Sequence, residues 1–291
     1  MYDILVSRLK EIDLSSTLTA SNISIVDRAE VPKKPFKPNL PKNMSIAVIL
    51  GLFTGIGLGI FVDYLDRTIK SPQDIKDILE SPLLGSIPEI KGKDEIKKDK
   101  IVHLQTKSAI SEAYRDIRTE ILYLMTKETK DNASAALLIT SAEPKAGKTM
   151  TTVNLGIALS QKGSKVLLVD TDLRKPQIHK IFDSDMESGL SEFLLRNISL
   201  DSIIKDTEIE NLKFVTSGKI PENPAEIISS AKMEQFIRDA KQKFDFVLFD
   251  SPPVVSVTDA VILADMVDAS IQVVRSAKAS IPLTLRAKRS W

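Results

Sequence analysis

Cysteine is absent from the 291 residues, and histidine occurs only twice, at His103 and His179. The first absence excludes disulfides, thiolate metal sites and a cysteine nucleophile, and is silent on redox compartment. The two histidines lie far apart and read as surface or core residues, since so few donors do not make a metal centre. Net charge is +1, so no global field argues for nucleic acid. What is present is 43% hydrophobic and 27% charged sequence, enough for one ordinary globular domain and something besides.

The something besides is an uncharged run of 19 residues, "MSIAVILGLFTGIGLGIFV", Met44 to Val62. About 20 apolar residues cross a bilayer as a helix. A buried core helix of that length usually carries a polar face, and this run has none. It begins too far into the chain for a cleaved signal peptide. Gly51, Gly55 and Gly59 recur on one helical face, a spacing that lets helices approach closely, although glycine is also simply frequent in membrane helices. The segment before the run, "VPKKPFKPNLPKN", is too rich in proline for helix or sheet. Beyond the run, Ser71-Pro72 opens a helix. Lysine and arginine are denser before the run than after it, which would put the N-terminus in the cytoplasm. A nucleotide domain after the run demands the reverse orientation, and that requirement takes precedence here. The first 30 residues read as a short amphipathic helix followed by a β-like "NISIVD", too little for a domain.

From about Asp63 short apolar runs alternate with helical stretches. Residues 135–140, 165–170, 212–217, 244–250 and 269–276 are predicted strands, nearly continuous in apolar residues, as parallel strands covered on both faces are. The expected fold is a doubly wound α/β domain of P-loop NTPase type, with ligands at the carboxyl ends of the strands. No periodicity is legible over 277–291.

One stretch concentrates the chemistry: "LLITSAEPKAGKTMTTVNLGIALSQKGSKVLLVDTDLRKP", Leu137 to Pro176. Its loop follows a predicted strand and opens a helix. Pro144, Lys145, Ala146, Gly147, Lys148, Thr149 and Met150 form the expected phosphate cradle, where loop amides and the helix N-terminus meet phosphate oxygens. Lys148 adds a charge for the β- and γ-phosphates, and the Thr149 hydroxyl can ligate Mg²⁺. Lys145 either adds charge to the loop or points to solvent. Twenty-two residues beyond Lys148 the next strand ends on Asp170, with Asp172 behind it. A third strand ends on Asp250. A single aspartate after a strand can merely cap a helix, but three of them at one sheet edge beside a phosphate loop suit a metal shell and a proton acceptor.

These three elements, "AEPKAGKT", "LLVDTDLR" and "FVLFDSPP", resemble the Walker A, A′ and B motifs of the bacterial tyrosine kinases of capsule and exopolysaccharide production. "SEAYRDIRTE" is similar to that family's Glu-x-x-Arg-x-x-Arg element at Glu112, Arg115 and Arg118, which share one helical face. The proline-rich segment, the apolar run and "YLDRTIKSPQDI" resemble the end of the Wzz-like chain-length adaptor fused to such kinases. The resemblance reaches to about residue 276. It implies ATP and Mg²⁺ as cofactors, with Lys148 and Thr149 on ATP and metal, Asp170 as base toward a tyrosine hydroxyl, and Asp172 and Asp250 ordering the metal. It also implies a ring-like homo-oligomer through Glu112, Arg115 and Arg118, protein-tyrosine substrates, and the polysaccharide polymerase and export machinery as partners. The expected location is a bacterial plasma membrane with the kinase domain in the cytoplasm. The implied domains are an extracytoplasmic adaptor remnant (1–43), a transmembrane helix (44–62), a linker (63–105) and a C-terminally incomplete kinase domain (106–291).

Four features depart from the family pattern. Lys145 stands where many members have glycine, which would stiffen the loop. It is not the activating lysine of partitioning ATPases: that position, five before Lys148, is Glu143, which counts against the partitioning reading. The chain has only Tyr2, Tyr64, Tyr114 and Tyr123, with no C-terminal tyrosine cluster. It stops after the 269–276 strand, and the long extracytoplasmic region with its first span is missing, as in a fragment or frameshifted product. Two other readings therefore stand beside the kinase: an ATP-binding adaptor without kinase activity, and a partitioning-type P-loop ATPase.

Overall fold

A computed structural model describes residues 2–18, 31, 33, 37–89, 98–128, 134–196 and 198–290. The expected β-like segment "NISIVD" lies outside these residues. The chain divides into two units, Met1–Leu65 and Asp66–Trp291.

The first unit contains α1 (Tyr2–Leu18) and α2 (Leu40–Leu65). Helix α1 has Ile4, Leu5 and Val6 in succession, so its apolar residues do not form one stripe. Helix α2 contains the whole uncharged run and extends it by a turn at its start. It is long and apolar enough to cross a membrane, and none of it is buried within the protein.

The second unit is a six-stranded sheet in the order β3-β4-β2-β5-β1-β6. Its strands are β1 (Ala135–Thr140), β2 (Val166–Asp170), β3 (Lys205–Asp206), β4 (Leu212–Val215), β5 (Phe246–Asp250) and β6 (Ala269–Gln272). All pairings are parallel except β3 with β4. The doubly wound α/β prediction therefore holds, with a two-residue antiparallel edge that the sequence reading lacked. The continuous apolar runs have a direct cause. Leu137, Ile139, Val166, Leu168, Phe246 and Leu248 enter one core, while Ala136, Leu138, Leu167, Val169, Val247 and Phe249 enter the other. Each strand alternates between two buried faces, so neither parity is polar.

The first core lies under α4 (Ile101–Leu104), α5 (Ala109–Glu128), α6 (Lys148–Ser160) and α7 (Ile178–Ile181). Gly156 lets α6 close onto the sheet; a β-carbon there would lie 2.6 Å from the Leu168 side chain. The second core is covered by α8 (Leu190–Leu195), α9 (Pro224–Ile228), α10 (Ala231–Lys243) and α11 (Asp259–Ala264).

Two expectations need correction. The span 63–105 is not merely a linker, because from Asp66 it belongs to the compact unit. Ile69, Leu79, Ile101 and Val102 are buried in it, and Thr68 forms an antiparallel bridge with Ser280. Helix α3 (Pro72–Leu79) is started by a capping box, in which Ser71 Oγ accepts from Asp74 N and Asp74 Oδ2 accepts from Ser71 N. Residues 277–291, in which no pattern was legible, contain helix α12 (Ile281–Lys288), which has proline in its first turn and packs near α3. Its buried positions are Thr284 and Ala287, too small and polar to print an apolar period.

Candidate functional site

Strands β1, β2 and β5 are neighbours, and Asp170 and Asp250 sit in register across β2 and β5. Chain direction then puts the loops after all three at one sheet edge, the place where open α/β sheets bind ligands. The phosphate loop after β1 turns on Gly147, whose φ of +97° caps α6 in a conformation that favours glycine. Lys145 also holds a positive φ, +60°, with its side chain exposed. That conformation explains why glycine would suit the position.

Lys148 begins α6 and is nearly buried. Burial lowers its pKa, and the charges of Asp250 and Asp172 partly offset that. The Thr149 hydroxyl donates to Asp250 Oδ2 at 2.6 Å, and Thr152 Oγ1 lies 3.4 Å from Asp250 Oδ1. Burial pushes the Asp250 carboxyl up to about 7, against the Thr149 hydrogen bond and the Lys148 charge. Asp170 is fully buried and held well above the usual carboxylate range, first by burial and then by Asp250. Its Oδ2 accepts from the amides of Gln177 and Ile178 at 2.9 and 3.0 Å, and Oδ1 from Asp172 N at 3.3 Å. Asp172 is only partly buried; its Oδ1 accepts from the amides of Arg174 and Lys175, which folds the loop back on itself.

The structure thus brings together Lys148, Thr149, Asp170, Asp172 and Asp250. It does not bring Glu112, Arg115 and Arg118 there. These lie on α5, where Arg115 pairs with Glu112 and donates to Thr106 O at 2.6 Å, while Arg118 donates to Ala158 O at 3.0 Å. The sequence reading missed Asp259, fully buried at the start of α11, to which Arg174 donates from Nε and Nη2 at 3.0 and 3.3 Å. It also missed a cavity of about 260 Å³ between the phosphate loop and the segment after β6. Ala142, Pro144, Val273, Arg275, Ala279 and Thr284 are among its lining residues.

The donor set fits Mg²⁺ held jointly with a nucleotide. No group of three His, Asp or Glu side chains among the described residues could hold a metal by itself. Mg²⁺ commonly takes one or two protein oxygens and completes its shell with water and substrate phosphates. Two buried carboxyls that hinder each other's ionisation, beside a threonine hydroxyl, are what a divalent cation would relieve.

The comparisons with known proteins agree with the fold. Residues 1–62 match the GNVR family, described as "G-rich domain on putative tyrosine kinase", and residues 138–282 match an AAA domain family. The chain is 37% identical over 195 residues to the tyrosine-protein kinase YwqD of Bacillus subtilis, 81% of which it covers. The chain belongs to the bacterial tyrosine-protein kinase family. It is 30% identical to the tyrosine-protein kinase etk of Escherichia coli over 294 residues. Among solved structures, the chimerical protein CapA2B2 superposes with a TM-score of 0.68 at 36% identity, covering 76% of this chain and 92% of that one. The etk kinase domain gives 0.66 at 26% identity, with coverage of 76% and 89%. The chain spans 38% of the length of the tyrosine-protein kinase ptk of Acinetobacter johnsonii, to which it is 29% identical.

Proposed function

We propose that this protein is a membrane-anchored, ATP- and Mg²⁺-dependent protein-tyrosine kinase that phosphorylates copies of itself and acts on capsular or exopolysaccharide polymerisation and export. Helix α2 is its anchor, with the Asp66–Trp291 unit on the cytoplasmic side where ATP is found. Residues 1–43 belong to the extracytoplasmic adaptor region. Glu112, Arg115 and Arg118 contribute to the contact between copies in a ring.

One observation carries the reading: a phosphate loop and three aspartates, two from the end of β2 and one from the end of β5, meet at one sheet edge, with Asp170 and Asp250 in register. In the proposed roles, the amides from Pro144 to Met150 that can donate, together with the Lys148 ammonium, hold the phosphates. Thr149, Asp172 and Asp250 hold the metal, which when bound neutralises charge on the phosphoryl oxygens. Asp170 takes the proton of the tyrosine hydroxyl. Its Oδ2 is fixed by two amides, leaving Oδ1 as the freer oxygen. Burial raises the proton affinity of this carboxyl, which favours its role as proton acceptor.

The test is a phosphotyrosine assay on the full chain in detergent, with ATP and Mg²⁺, alone and with a peptide carrying several tyrosines. Label on the peptide supports the kinase. No label despite ATP binding by calorimetry overturns it and leaves a nucleotide-binding adaptor.

A further inference from the structure

All four tyrosines of the chain lie among the described residues, and they differ sharply in access. Tyr114 is 0% exposed, packed between α5 and α6 beside Thr151. No phosphoryl donor reaches it without unfolding the helix pair. Tyr2 and Tyr64 belong to the Met1–Leu65 unit, on α1 and at the penultimate position of α2. Tyrosine at the end of an apolar spanning helix is placed for the headgroup layer of a membrane. Within the Asp66–Trp291 unit this leaves Tyr123, on α5 and 52% exposed.

The surroundings of Tyr123 match a kinase mouth. Glu112, Asp116, Thr119 and Tyr123 form the exposed stripe of α5, opposite buried Tyr114, Ile117 and Ile121. Glu120, one turn before Tyr123, adds a further acidic group beside it. The loops around the nucleotide site expose Lys145, Lys175 and Arg275, charges of the opposite sign. Complementary charge of this kind favours encounter and sets orientation.

Tyr123 cannot reach the phosphate loop of its own chain. Helices α5 and α6 run side by side in the same direction, with Tyr114 beside Thr151 and Arg118 bonded to Ala158. Ala158 is ten residues beyond Lys148, and Tyr123 five beyond Arg118, so at 1.5 Å per residue the separation along the helices is on the order of 20 Å. Both helices are packed into the first core, which fixes that distance.

From these relations we infer that Tyr123 is a phosphoryl acceptor of this chain, modified in trans by the nucleotide site of a second copy. The inference rests on the kinase reading above. The γ-phosphorus of ATP bonds to Tyr123 Oη as its bond to the β,γ-bridging oxygen breaks. ADP keeps that electron pair, and the phenolic proton passes to a carboxylate of the donor copy's site. The products are ADP and a phosphotyrosine on the acidic stripe of α5.

The experiment mixes full-length wild type in detergent with an affinity-tagged Lys148→Met copy, MgATP and a random glutamate–tyrosine polymer. Label is mapped by mass spectrometry. The expected result is phosphate on Tyr123 of the tagged copy. Tyr123→Phe in that copy lowers its labelling at least about fivefold, while a Tyr123→Phe enzyme phosphorylates the polymer within about twofold of wild type. Label on Tyr64 or Tyr2 in place of Tyr123 overturns the inference. So does a tagged copy that stays unlabelled while wild type labels itself. A labelled polymer beside an unlabelled chain sinks the inference and leaves the kinase standing. No label on either removes both.

Discussion

Arg174 donates from Nε to Asp259 Oδ2 at 3.0 Å and from Nη2 to Asp259 Oδ1 at 3.3 Å, joining the loop after β2 to the helix that follows the loop after β5. The two ends of this pair are unequal. The Asp259 side chain is 0% exposed and that of Arg174 is 43% exposed. Removing the arginine strands a buried carboxylate, whereas removing the carboxylate leaves a guanidinium that can turn to water. Arg174→Met is therefore expected to destabilise the protein by about 3 kcal/mol and Asp259→Asn by less. Adding Asp259→Asn to Arg174→Met should recover part of the loss. Urea unfolding of the three variants checks this, and a double variant worse than Arg174→Met counts against the coupling.

Two buried charged groups of the site, Lys148 and Asp170, have separable roles. Lys148→Met is expected to abolish phosphotyrosine formation. Asp170→Asn keeps the shape of a side chain that caps two amides, so MgADP affinity should stay within about threefold while phosphotransfer falls by at least about a hundredfold. Calorimetry with MgADP beside the kinase assay measures both quantities. Equal loss of nucleotide in the two variants undoes the assignment.

Asp250 sets a pH dependence of stability. Folded, its carboxyl is raised by burial to about 7; unfolded, it ionises near 3.8. Between these values the folded chain retains a proton that the unfolded chain has lost, so this group's contribution to stability falls as pH rises through the window. Asp250→Asn has no carboxyl to ionise. The nucleotide-free variant should be more stable than wild type at about pH 8, with the gap closing toward pH 4. Melting temperatures across that range test it, and a gap independent of pH refutes it.

Arg115→Ala with Arg118→Ala is expected to reduce the proposed ring to smaller species in light scattering. Both arginines also bond within their own chain, to Glu112, Thr106 O and Ala158 O. A Glu112→Ala variant, which leaves the Arg118–Ala158 bond in place, serves as the companion. An unchanged mass in both variants removes α5 from the assembly contact.

The site was more legible in the sequence than the frame around it. The phosphate loop and the aspartates at 170, 172 and 250 follow long buried strands, and each position is set by a backbone that can run only one way. Asp259 carries no such mark. It comes nine residues after Asp250 and reads as an ordinary first-turn helix acid until the fold sets Arg174 against it. Ile69 is a single apolar residue in a polar stretch and Leu79 ends a short helix with few apolar positions, so their burial depends on α12 and the segment after β6, which the local pattern does not announce. Edge strand β3 has two residues, below any periodic signal.

The bridge between Thr68 and Ser280 has a consequence for biosynthesis. Ile69 N donates to Ala279 O, Ala277 N to Ile69 O, and Ser276 Oγ to Lys70 O, a pair 206 positions apart. The short segment that follows the apolar helix leaves the ribosome early and waits for residues about 200 positions later before it meets its partner. Loop closure over such a distance becomes favourable only once the sheet between has formed. Since Arg275 and Ala279 also line the cavity beside the phosphate loop, its wall is completed late in synthesis. A nascent chain halted before residue 276 would carry the whole phosphate loop while lacking part of the cavity wall beside it.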